Sequence, residues 1–137
     1  MLQLKKRADS GKGVRFMATI SLYQDSRHDA PLSWIRTRMK CGYVSKRNDG
    51  MTELRINGFS QVRETLETLL PYLRFKKKQA VMLIRACRLL EKETLRRMDS
   101  RRLRAVVKLL VSIQNENYRS AHRRTEEDLY ALLGLTP

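Results

Sequence analysis

Cysteine and histidine are scarce in this sequence: Cys41, Cys87, His28 and His122 are all it has among 137 residues. None of them stands at the close spacing of a structural zinc site, which argues against zinc. Two cysteines without a C-x-x-C pair read as reduced thiols, as in a bacterial cytoplasm or an organelle interior. Long apolar runs are missing too. None approaches the ~20 residues that a membrane-spanning helix needs, so a membrane is not an expected partner. The opening MLQLKKRADSGKG lacks the apolar core of a secretory signal. Paired carboxylates at a useful spacing, Ser-His-Asp signatures and phosphate-cradling glycine loops are likewise absent. Gly11 and Gly13 form only a lone G-x-G in a basic turn.

Negative charge is the other shortage. There are 29 Lys and Arg against 14 Asp and Glu, for a net charge of +15. The excess is not confined to a tail. Residues 1–60 carry 12 basic and 5 acidic side chains, and residues 61–137 carry 17 and 9. Since 42% of the residues are apolar, the chain can bury a core, and its length suits one domain spanning 1–137. A folded body that is positive throughout attracts phosphate backbones. Nucleic acid is the leading partner class.

Alternation marks the first half as β-rich. Residues 2–7 alternate, DSGKG at 9–13 supplies a turn, and VRFMATISLYQ at 14–24 is the clearest strand. Val14, Phe16, Ala18, Ile20 and Leu22 share its apolar face; Arg15, Met17, Thr19, Ser21 and Tyr23 share the other. Residues 30–40 read as a helix, with Asp29 as cap, Pro31 in the first turn and Gly42 as stop. Leu32, Trp34, Ile35 and Met39 are its expected inward face. A hairpin follows over 42–57, turning at Asn48–Gly50. Val44, Leu54 and Ile56 point inward, leaving Ser45, Arg47, Glu53 and Arg55 outward. From Ser60 the period changes to that of helices, over 60–70, 77–95, 100–115 and 126–133. Thr125 with Asp128 makes a capping box for the last, and Gly134 closes it. The expected class is α+β, a four-stranded antiparallel sheet with helices on one side.

A polar sheet face bearing Arg, Gln, Ser, Thr and Glu suits nucleic acid in a protein this basic. A curved β-ribbon fits the DNA major groove, where Arg reads guanine, Gln adenine and Glu cytosine. The plainer reading of that face is a solvated outer surface. Arg123 and Arg124, with Arg119 and His122, are either a solvated link between helices or a phosphate contact.

The stretch PYLRFKKKQA at 71–80 places four cations between Arg74 and Lys78. Together with GYVSKRNDGMTELRI, the helix after it, LLPYLRFKKKQAVMLIRAC and LVSIQNENYRSAHRRTEEDLYALL, it resembles the LAGLIDADG homing endonucleases, in particular the single-motif class that acts as homodimers. The resemblance runs from about residue 2 to 135. It implies half of an αββαββα saddle that straddles double-stranded DNA and cuts both strands with Mg²⁺. The base-reading set implied is Arg15, Thr19, Ser21, Tyr23, Ser45, Arg47, Glu53 and Arg55, which is the face that alternation picks out. The family's active-site lysine falls on Lys76. Gln24 falls near the polar residue that helps position solvent, and Arg27 or His28 near a supporting basic residue. Lys77 and Lys78 become backbone clamps or plain surface.

The family is named for a helix that ends in a metal-binding acid, and no such segment occurs in the 137 residues. Asp9 and Asp25 stand in the wrong places to replace it, so no metal ligand is expected within the chain. Three readings follow: a nuclease whose sequence begins upstream, a truncated or decayed relative that binds DNA without cutting, and an RNA-binding, maturase-type protein.

Overall fold

A computed structural model describes residues 1–7, 13–117 and 123–136. Gly11, Asp9, Arg119 and His122, named above, lie outside the described residues. Four strands, β1 (Leu2–Lys6), β2 (Val14–Asp25), β3 (Tyr43–Lys46) and β4 (Met51–Asn57), form one antiparallel sheet in the order β1-β2-β4-β3. The helices are α1 (Ala30–Met39), α2 (Phe59–Leu69), α3 (Lys77–Lys92), α4 (Ser100–Asn115) and α5 (Glu126–Leu133).

The long strand β2 organises the sheet. Its first part, from Val14 to Ala18, pairs with β1, and its second, from Thr19 to Asp25, pairs with β4. At ~3.3 Å per residue, its 12 residues make a ribbon of about 40 Å. The apolar side of that ribbon drives folding. Leu2, Leu4, Val14, Phe16, Ala18 and Ile56 are buried against Val62 and Leu66 of α2, Leu83, Ile84 and Cys87 of α3, and Val106 and Leu110 of α4. Burial of such side chains contributes roughly 1.5–3 kcal/mol each. The helices thus occupy the apolar side and leave the other side of the sheet open.

The expected helix starts and stops hold within a residue or two, with three corrections. The 60–70 helix starts at Phe59 and gives way at Pro71 to a single 3₁₀ turn, Leu70–Tyr72. The 77–95 helix ends at Lys92, where Glu93 is extended. In α1, Trp34 does not face inward: it is 61% exposed, with the Arg38 guanidinium 5.6 Å from its ring centroid. That i,i+4 stacking shields one face of the indole, and Leu32 is the buried residue of the helix.

Both ends of α1 differ as well. Asp29 stands at the cap position, but its carboxylate accepts from Thr52 Oγ1, at 2.8 Å, instead of capping. The helix stops at Lys40, in the left-handed region at φ 55°. Gly42 serves another purpose, a close approach to β4. Thr125 and Asp128 do form the capping box, and Gly134 ends α5 at φ 69°.

Candidate nucleic-acid interface

The open side of the sheet collects polar side chains in rows set by register. Ser21, Arg55 and Tyr43 lie side by side across β2, β4 and β3, and Tyr23, Glu53 and Ser45 form the next row. Arg47 lies beyond, where its backbone N–H donates to the Met51 carbonyl. Gln3 and Lys5 of β1 extend the face beside Met17 and Arg15. Tyr43, Gln3 and Lys5 were missed from sequence. Parity with Ser45 and Arg47 would have found Tyr43, whereas the β1 residues need the strand pairing.

The expected base-reading residues do not all stand free. Tyr23 is 48% exposed, with the Arg47 guanidinium 5.4 Å from its ring centroid. Arg47 also meets Asp49, Nε to Oδ2 at 3.2 Å. Arg15 is half-buried, its Nη2 3.4 Å from Met17 Sδ. Ser21 and Ser45 are half-buried. Thr19 and Glu53, expected outward, are buried. Thr19 donates to Asn57 Oδ1 at 2.9 Å, across the strand pair. The Glu53 carboxylate takes a two-pronged contact from Arg55, with Nε to Oε1 at 3.0 Å and Nη2 to Oε2 at 3.1 Å. Burial pushes the Glu53 carboxyl up, but hydrogen bonds from Ser21, Arg55 and Tyr23 and the Arg55 charge hold it below its ordinary value. The same pairing raises the Arg55 guanidinium.

The residues that the family resemblance singled out for chemistry lie at the end of β2, in the turn after it and just before α3. Lys76 precedes α3 in the left-handed region, φ 58° and ψ 22°, with its side chain exposed. A left-handed conformation is uncommon for a residue with a Cβ and costs on the order of 1 kcal/mol. Gln24 is exposed at the end of β2, on the side opposite Tyr23. Arg27 sits in a 3₁₀ turn, Ser26–His28, and its fork is engaged by Asp25 through Nε to Oδ1 at 3.0 Å and Nη2 to Oδ2 at 2.8 Å. Among the described residues, no hydrogen bond or ion pair joins Lys76 to Gln24 or Arg27.

The outlying cations differ from one another. Lys77 and Lys78 are exposed in the first turn of α3, where the helix dipole disfavours positive charge. Arg123 and Arg124, read as a solvated link or a phosphate contact, each have a partner within the chain. Arg124 Nη1 donates to the Leu4 carbonyl at 2.8 Å, and Arg123 Nη2 to the Asn117 carbonyl at 2.8 Å. These bonds tie the segment before α5 to β1 and to the end of α4.

Fit to a divalent cation is poor. Among the described residues no three His, Cys, Asp or Glu side chains converge, and Asp25 is taken up by Arg27. No helix of the described residues is long and apolar enough to cross a membrane.

No family model matches the sequence. The DNA endonuclease I-CvuI of Chlorella vulgaris is 34% identical over 82 residues, covering 60% of this chain and 51% of that protein. The match thus spans about half the length of the curated relative. A crystal structure of the homing endonuclease I-CvuI in complex with a target superposes with a TM-score of 0.85 at 25% identity, covering 99% of this chain and 86% of that one. The chain is thus similar, in sequence and in fold, to the LAGLIDADG homing endonucleases.

The fold also matches that of an archaeal intron-encoded homing endonuclease, I-Vdi141I, complexed with DNA. There the TM-score is 0.79 at 18% identity, over 97% of this chain and 84% of that one. The LAGLIDADG homing endonuclease I-SmaMI, bound to cleaved DNA, matches with a TM-score of 0.74 at 20% identity. In that case 98% of this chain covers only 43% of the other. The chain thus spans most of the shorter neighbour and less than half of the longer one. The α+β class and the antiparallel sheet expected from sequence are those of the family fold.

Proposed function

We propose that this chain is the DNA-reading half of a site-specific, double-stranded DNA endonuclease of homing type, acting as a homodimer. The observation that carries the reading is the open side of the sheet. Ser21, Tyr23, Tyr43, Ser45, Arg47 and Arg55 project there from one antiparallel ribbon, in a fold that I-CvuI and I-Vdi141I present to DNA. A ribbon of this shape fits the major groove, and its arginines can read guanine edges. The overall positive charge supplies phosphate attraction, and Lys77 and Lys78 act as backbone clamps.

Lys76 is the residue proposed to act on the reacting phosphate. An ammonium there would stabilise charge that develops on the phosphate oxygens or hold the attacking water in line. Gln24 is proposed to position solvent, with Arg27 or His28 as a supporting basic residue. I-CvuI has been crystallised with DNA in the presence of Mg or Ca, and Mg²⁺ is the proposed cofactor. Since the described residues make no donor set for it, the chain's own part is DNA positioning and the Lys76 charge.

The test is cleavage of a plasmid library of candidate sites with Mg²⁺. This chain is compared with a version extended upstream by one family-like helix ending in Asp. Cleavage by the extended version supports the nuclease reading. Duplex binding without cleavage by either version would favour a non-cutting binder, and preference for structured RNA over duplex DNA would favour the maturase-type alternative. In each arm, affinity should fall steeply with salt, because phosphate neutralisation carries much of it.

A further inference from the structure

On the outward face of β4, Glu53 and Arg55 stand two residues apart and therefore side by side. Their exposures are opposite: the Glu53 side chain is 6% exposed, the Arg55 side chain 40%. A carboxylate is rarely buried on a surface otherwise open to solvent unless its oxygens are taken. Here they are. Arg55 contributes Nε to one oxygen and Nη2 to the other, and Ser21 and Tyr23 flank the pair on the neighbouring strand.

We propose that Glu53 is the positioning residue for Arg55, and that the two form a guanine-reading unit in which only the outer end of the guanidinium meets the base. This rests on the DNA-reading role proposed above and names its chemistry at one position. A guanidinium has five N–H donors in a fixed fork. Glu53 occupies the side made by Nε and one Nη2 hydrogen, leaving both Nη1 hydrogens and the second Nη2 hydrogen. Those are the donors that match the O6 and N7 acceptors of guanine in the major groove. Adenine offers a donor in place of O6 and is disfavoured. Cytosine readout by Glu53 itself is disfavoured, because the carboxylate is buried and both of its oxygens already accept from Arg55.

Rigidity gives the unit its selectivity. A free arginine loses rotamer freedom when it docks, and a held one has lost it beforehand. Arg47 is the internal contrast: its partner Asp49 is 51% exposed and Arg47 itself 46%, so solvent competes for that pair. The two arginines sit two rows apart on the sheet, about 13 Å at ~3.3 Å per residue. That is about four base-pair steps at ~3.4 Å each. Arg55 is therefore the strict reader and Arg47 the tolerant one, about four base pairs away.

The experiment is selection from a randomised duplex library at fixed salt, with the full chain and the variants Glu53→Gln, Arg55→Ala, Arg55→Lys and the Glu53→Gln/Arg55→Ala pair. The wild type should demand guanine at one position. Arg55→Ala and Arg55→Lys should each erase that demand. Glu53→Gln should weaken it by roughly tenfold to a hundredfold at that position alone, and the double variant should add nothing to Arg55→Ala. A Glu53→Gln protein that keeps the guanine and changes a cytosine preference elsewhere would overturn the assignment. So would an even loss at every position, which marks a purely structural glutamate. If Glu53→Gln does not fold, Arg55→Lys still decides, since full guanine preference with a lysine there rules out fork recognition. Absence of any sequence preference in the wild type would instead sink the DNA-reading role, and this assignment with it.

Discussion

Gly42 and Arg55 meet backbone to backbone: a Cβ built on Gly42 would lie 2.8 Å from the Arg55 carbonyl oxygen and 2.9 Å from Ile56 Cγ1. Gly42 also holds φ at +86°. The residue that leads from α1 into β3 is thus pressed against the strand that carries Arg55. Gly42→Ala should cost ~2–4 kcal/mol, through overpacking and positive φ together. Urea unfolding would measure it, and a loss under 1 kcal/mol would mean that the contact relaxes easily.

Lys76 lies in the left-handed region without being glycine, so its conformation and its charge can be tested separately. Lys76→Gly should stabilise the fold or leave it unchanged within ~1 kcal/mol, since glycine adopts φ 58° without strain. Lys76→Ala retains the strain and removes the ammonium. Both variants should lose cleavage in the helix-extended protein while keeping duplex affinity nearly intact. A large drop in affinity would make Lys76 a phosphate clamp.

The Glu53 carboxyl is held below its ordinary value of 4.5. A depressed carboxyl contributes stability that is present above the ordinary value and is lost as pH falls through the folded one. The stability difference between the wild type and Glu53→Gln should therefore be widest near neutral pH and close below 4.5. Denaturation midpoints from pH 7 to pH 3 would show this; a pH-independent difference would mean that the carboxylate charge is not what stabilises the pair.

Burial raises the Cys87 thiol to about 12, leaving almost no thiolate near neutrality, whereas Cys41 is only half-buried. A soluble thiol reagent at pH 8 should modify Cys41 rapidly in the native protein and Cys87 only after denaturation. Two equally fast phases would contradict the buried setting of Cys87 between the sheet and α3.

Arg47→Ala and Arg55→Ala should each relax discrimination at one base pair by ~1–3 kcal/mol, the smaller effect belonging to Arg47. Binding to single-mismatch duplexes would map the positions. An equal loss over all sequences would identify the residue as a phosphate contact.

Local patterns in the sequence determined the elements of this protein. Period-two alternation over 14–24 and 42–57 placed the strands and named their apolar faces, because successive side chains of a strand must point to opposite sides. The switch to helical period after Ser60, the Thr125–Asp128 box and Gly134 set the helices, since caps and stops depend on a few adjacent residues. The charge excess and the stretch PYLRFKKKQA pointed to DNA and to the family. What only the tertiary structure decided is which of these side chains are free. Glu53 is buried because Arg55 of its own strand and Ser21 and Tyr23 of β2 surround it; Arg27 is engaged by Asp25 in a turn; and Arg124 reaches a β1 carbonyl 120 residues away. Alternation fixes the face of a residue but not its neighbours, and it is the neighbours, through desolvation and hydrogen bonding, that decide whether a charge can meet DNA.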